Sequence, residues 1–151
     1  MIKLKIKANV SKATRYLKKL VRKTPSATQR ALKNTGLMQL NIIKKRTDKG
    51  RGVLGAFKKY TPEYAKFKMS IGQGARPNLQ VSNFMLSNMN EKTNKRLSRL
   101  HFPNNKANEL AFYNDKTRPF FSVTSKEERL LQRNFEKQLT RFMGIWVKGK
   151  T

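Results

Sequence analysis

Eight acidic residues, one histidine and no cysteine are the whole stock from which this chain could build acid–base, metal or nucleophilic chemistry. The acids are Asp48, Glu63, Glu91, Glu109, Asp115, Glu127, Glu128 and Glu136. None forms a DxD or ExxH pair, whereas a two-metal site needs several convergent carboxylates. His101 lies in "RLHFP", on an alternating apolar stretch. A general base needs an orienting partner, and no sequence neighbour supplies one. Glu63 with Lys66 is the nearest approach to a nuclease carboxylate and lysine. Glu63 follows Pro62, however, and an acid in a first helical turn is explained by the helix dipole. "GRGVLG", residues 50–55, has glycines but lacks the Lys-Ser/Thr and the preceding strand of a phosphate-binding loop. The absence of cysteine excludes disulfides, thiolate zinc sites and cysteine nucleophiles. These residues predict no catalysis, no metal and no cofactor.

What remains is charge. Lys and Arg number 35 in 151 residues, for a net +27. The first 59 residues hold 18 of them against Asp48 alone; the rest hold 17 against seven acids. A field of this size signals association with a polyanion or an acidic protein rather than a fold. The basic stretch 44–68, "KKRTDKGRGVLGAFKKYTPEYAKFK", concentrates it. Lys44, Lys45, Arg46, Lys49, Arg51, Lys58 and Lys59 are the candidates to face DNA or an acidic partner. Phe57, Tyr60, Tyr64 and Phe67 are interleaved with them and could stack bases. The spacing of Tyr60, Tyr64 and Phe67 by four and three favours a helix face packed on protein. Zinc-finger, RRM and KH signatures are absent.

The elements that would position these residues follow from periodicity. Ile2, Leu4 and Ile6 alternate with lysines and predict a strand over 2–7. Val10, Ala13, Leu17 and Leu20 recur at helical spacing, with Lys12, Arg15, Lys19 and Arg22 on the other face. Thr24 and Pro25 predict a stop and a restart. Ala31, Thr35, Met38 and Ile42 carry a second helix to about Arg46. Gly36 weakens that helix by about 1 kcal/mol relative to Ala and suits close packing.

Residues 48–59, loosened by Gly50, Gly52 and Gly55, read as a flexible arm, with 48–80 as a whole an extended loop region. Within it "YTPEYAKFK" predicts a short helix capped by Thr61. "NFMLSNM" predicts another short helix. Leu100 with Phe102, and Leu110 with Phe112, predict strands joined by a turn at "FPNNKAN". Ser125 with Glu128 predicts a capping box before a helix striped by Leu131, Phe135, Leu139, Phe142 and Trp146. Residues 148–151 are a basic tail. The expectation is a single α+β domain: strand, two helices, arm, antiparallel sheet, and a C-terminal helix packed on the sheet. The start lacks the apolar core of a secretory signal, and no apolar run reaches the ~20 residues of a membrane span. The expected product is soluble and made in a cytoplasm.

The dispersed pattern of the middle of the chain resembles a known family. Arg46-Thr47, Gly50, Gly52, Phe57, Tyr60-Thr61, Tyr64 and Lys68 are followed by "NLQVSNFMLSNM" and then by "RPFF", Arg118 to Phe121. The set, over about residues 30–125, is similar to the virion morphogenesis, or tail-completion, proteins of tailed bacteriophages. Where that family usually reads Thr-Gly before the Met, this chain has Ser82-Asn83. Asn tolerates positive φ, so the turn is expected to survive.

The resemblance implies a structural virion protein in the neck or tail top, made in the bacterial host. It implies a homo-oligomeric ring joined to connector proteins above and tail-tube or terminator proteins below, with DNA passing through the bore. On that reading Arg51, Phe57, Tyr60, Tyr64, Arg118, Phe120 and Phe121 are candidates to grip a partner. For Phe120 and Phe121 a core corner is an equal expectation. The arm 48–59 is expected to order only on assembly. The competing readings are a cellular, non-sequence-specific DNA- or RNA-binding protein and, more remotely, a nuclease.

Overall fold

The computed structural model describes residues 10–80 and 82–144. The strand expected over 2–7, Trp146 and the basic tail lie outside the described residues, as do the side chains of Val10, Ala13, Leu17 and Leu20. The chain mixes helices with two small antiparallel sheets, broadly α+β.

A single helix, α1 (Val10–Asp48), replaces the two expected. Pro25 lies inside it. Proline's fixed φ is close to helical, and it removes one N–H, so a helix held by packing further along can run through it. At 1.5 Å per residue α1 is about 58 Å long.

The arm is a folded hairpin. β1 (Arg51–Gly52) and β2 (Gly55–Ala56) pair antiparallel across a two-residue loop, Val53-Leu54. α2 (Pro62–Ser70) begins as expected, with the Thr61 hydroxyl accepting from the Tyr64 N–H. α3 (Phe84–Ser87) follows Asn83, whose φ of +55° keeps the turn expected of it.

β3 (Asn90–Thr93) and β4 (Ser98–His101) form the second hairpin, which lies across α1 at Gly36. A Cβ on Gly36 would stand 2.1 Å from Ser98 Oγ and 2.8 Å from Glu91 Cγ, so a larger residue here would have to displace those side chains. The predicted strand through Leu110 and Phe112 is instead helix α4 (Asn105–Thr117), with Asn104 accepting from the Ala107 N–H. Ala107 and Ala111, four apart, are its buried positions, while Leu110 and Phe112 are exposed.

α5 (Ser125–Met143) carries the capping box one residue earlier than expected, on Thr124 and Glu127. It packs antiparallel along α1 rather than on a sheet. Asn34 meets Gln138, Thr35 meets Asn134, and Arg30 lies 4.3 Å above the Phe142 ring.

The core is small. Ile43 of α1, Phe57, Met85, Leu86 and Met89, Ala111 and Phe120 form it, with Leu40, Leu79, Leu100, Phe102 and Phe121 at its margin. No helix among the described residues is long and apolar enough to cross a membrane.

Candidate functional site

The residues singled out in the sequence converge where the last turn of α1 meets the β1–β2 hairpin and the segment between α4 and α5. Arg46 is the clasp. One guanidinium nitrogen pairs with Glu127 of α5; the other donates to the carbonyls of Phe120 and Ser122, each at 2.6 Å. Glu127 also accepts from the Thr124 N–H, so one carboxylate caps α5 and holds α1. Arg46 is therefore not available to DNA or an acidic partner, contrary to expectation. A planar fork with several acceptors in reach binds internally. Asp115 secures the other end of the segment: one carboxylate oxygen accepts from the N–H groups of Phe120 and Phe121, at 2.8 and 3.0 Å.

The hairpin is pinned to this segment. The Val53 N–H donates to the Pro119 carbonyl at 2.9 Å and the Phe57 N–H to the Gly50 carbonyl at 2.8 Å. A Cβ on Gly52 would stand 2.1 Å from the Pro119 carbonyl oxygen and 2.7 Å from the Phe57 ring. Phe57 is buried in the core, which corrects its expected role as an exposed partner anchor. Its ring fills space beside Ile43 and Phe120 that the chain would otherwise leave open. The same correction applies to Phe120, which is fully buried. Phe121 is half-buried against the Phe102 ring, 5.5 Å between centroids. The hairpin does project one apolar side chain that the sequence reading passed over: Leu54 is 87% exposed. Two glycines flanking Val53-Leu54 at hairpin spacing are the signal for that tip.

Tyr60 forms the other half of the site. Its hydroxyl accepts from the Leu79 N–H at 3.3 Å, and Tyr64 meets its ring edge-on at 4.8 Å. Two cations attend the same ring, Arg118 at 5.0 Å and Lys68 at 5.2 Å. Lys68 is fully buried; its ammonium donates to Asn78 Oδ1 at 2.8 Å and to the Arg76 carbonyl at 3.3 Å. Burial lowers the Lys68 pKa below its ordinary 10.5. Burial raises that of Tyr60 above 10.0, only partly offset by the Leu79 hydrogen bond. Arg118 also donates to the Lys58 carbonyl at 3.3 Å, tying the α2 approach to the end of α4. Between these elements lies an open cleft of about 510 Å³, lined by Tyr60, Tyr64, Phe84, Leu110, Asn114 and Arg118 among others. Leu79, on its wall, has a φ of +55°, a costly conformation for a bulky residue.

The remaining predicted cations divide. Lys45, Lys49 and Arg51 share an open crevice of about 440 Å³ beside Thr124 and Glu127. Lys44 is half-buried near Asp48, and Lys58 and Lys59 are exposed on the run into α2. His101 is half-buried on β4, and its Nδ1 has no hydrogen-bond partner among the described residues. No group of three His, Cys, Asp or Glu among the described residues could hold a metal ion. Comparisons with protein-family models, curated proteins and solved structures gave no match.

Proposed function

We propose that this chain is a structural, non-catalytic virion protein of a tailed bacteriophage. It belongs to the neck or tail-top ring that joins the head connector to the tail and surrounds the DNA path. The observation that carries the reading is the convergence of the resemblance residues. Arg46, Gly52, Phe57, Tyr60, Lys68 and Arg118 come from stretches up to 72 positions apart in the sequence. They meet through direct contacts at one junction of α1, the β1–β2 hairpin, α2 and the α4–α5 segment. A scattered pattern that folds to one place is a single structural feature, and this supports the resemblance.

In the proposed ring the junction is a stiff mount and Leu54 its projecting contact. Exposed Phe67, Phe112 and Tyr113 add apolar surface of the kind that subunit and connector contacts bury. Closed cyclic symmetry satisfies such head-to-tail contacts. Disrupting the gene in the phage that encodes it tests the proposal. Filled heads and separate tails in the lysate are the expected outcome by electron microscopy. Normal joined particles would overturn it.

A further inference from the structure

The longest acid-free run with exposed cations is the first half of α1, and the β3–β4 hairpin adds more beside it. Arg15, Lys18, Lys19, Arg22, Lys23 and Lys33 are all exposed. No acid occurs between residues 10 and 47. Eighteen residues make five helical turns, so Arg15 and Lys33 project the same way along about 27 Å of helix. Lys18 and Gly36 bear the same relation, and Gly36 is where the β3–β4 hairpin crosses α1. The hairpin therefore continues the same side of the helix. α5 meets α1 through Arg30, Asn34 and Thr35, about 60°, 100° and 160° round from Lys33, so it lies to one side of the ridge and does not cover it.

The hairpin adds a second, independent sign. Its one acid, Glu91, is turned inward and accepts from Ser98 and Thr93. Facing outward are Lys92 and Arg99, directly opposite each other in the register and both exposed. Like charges so placed destabilise a hairpin. Lys95 and Arg96, in its turn, are exposed as well. Among the described residues the one ion pair is Arg46–Glu127, so none of these cations is neutralised within the fold.

We infer that this ridge, from Arg15 along α1 to Lys92 and Arg99, binds the phosphate backbone of duplex nucleic acid without reading its sequence. The described side chains of the helical ridge are long, flexible cations without an aromatic ring. Single-strand binding uses aromatic platforms, and the cores of protein interfaces are depleted in lysine. Repeated phosphates match such a ridge, and the duplex offers one every ~1.7 Å of its axis. The inference deepens the proposed place around a DNA path, but it rests on charge and geometry alone.

The test is fluorescence anisotropy on unrelated 30-base-pair duplexes across a salt series. The ridge variant is R15Q/K18Q/K19Q/R22Q; the control, with the same loss of charge, is K58Q/K59Q/K66Q/K126Q. With about 0.9 of slope per phosphate contact, the ridge variant should lose about 3 to 4 from the log K against log salt slope. The control should lose less than about 1. A third variant, K92Q, guards against misfolding. It should raise the thermal midpoint by relieving Arg99 and yet weaken duplex binding. Equal losses in ridge and control variants would overturn the inference, since net charge alone would then be responsible. So would unchanged binding by the ridge variant, a strong preference for one duplex sequence, or polyglutamate competing as well as DNA at equal charge. None of those results would bear on whether particles contain the chain.

Discussion

At the scale of single residues, three side chains separate what the fold needs from what a partner could take. Arg46 looks in sequence like one more cation in a solvated run. Its main partner, Glu127, is 81 positions away, and nothing local announces it. Replacing Arg46 with Met strands a largely buried carboxylate and two carbonyls. The expected cost is roughly 3–5 kcal/mol, read by urea unfolding. Phe57 and Leu54 make a contrasting pair. Phe57→Ala opens the core and should cost about 3–5 kcal/mol, whereas Leu54→Ala should leave stability within about 0.5 kcal/mol but impair the joining of heads to tails. Normal joining by the Leu54 variant would remove the hairpin tip from the proposed contact. Lys68 gives a pH signature. Its folded pKa is lowered, so between that value and 10.5 the unfolded chain holds a proton that the folded chain has lost. Stability therefore rises with pH through this window. Tyr60, with its pKa raised above 10.0, acts in the opposite sense at the top of the window. In a Tyr60→Phe background, unfolding from pH 7 to 10.5 should show the Lys68 protein gaining on its Lys68→Met variant as pH rises. Parallel curves would contradict the burial of the ammonium.

The elements show which physical signals a sequence carries and which it does not. α2 was legible because Thr61 and Pro62 act locally, through a cap and a fixed φ. Asn83 was legible for the same reason: its left-handed conformation follows from its own side chain. α4 was not, because its buried positions are the small residues Ala107 and Ala111, while the larger Leu110 and Phe112 happen to alternate on the exposed side. β3 was missed because "NEKT" has no apolar face; it is a strand through its pairing with β4 and its seat on α1. The expected break at Pro25 is absent because proline's fixed φ suits a helix and packing on α5 from Arg30 onward holds the turns that follow it. A proline inside the helix still has a cost. Pro25→Ala should stabilise the isolated protein by about 1–2 kcal/mol in thermal unfolding, allowing for the greater freedom of its unfolded chain. Gly52→Ala should do the reverse, by about 1–3 kcal/mol, since its methyl would meet the Pro119 carbonyl. Of the candidate site, the membership of Gly52, Phe57, Tyr60 and Arg118 was legible from the pattern. Their role in an internal joint was not, because it depends on the 118–122 segment returning beside the end of α1.

For the whole molecule, a long basic helix stands beside a small core, and the charge is distributed by that architecture. The cations nearest the junction are partly used up in holding it together, as Arg46 and Lys68 are. Those farther along α1 and on the β3–β4 hairpin are left over, and self-repulsion among them opposes assembly without a counter-charge. The isolated chain is therefore expected to be monomeric at moderate salt and to assemble in the particle, against connector, tail and DNA. Sedimentation at several salt concentrations checks the first half of that statement. The central claim, the proposed place in a phage head–tail junction, is tested most directly by electron cryomicroscopy of the particles produced from the genome that carries the gene. The account predicts a closed ring of copies of this fold around the DNA path, with the Leu54 hairpin tip at a contact between subunits or with the connector. Intact, joined particles whose junction contains no copy of the chain, or one unpaired copy, would contradict it.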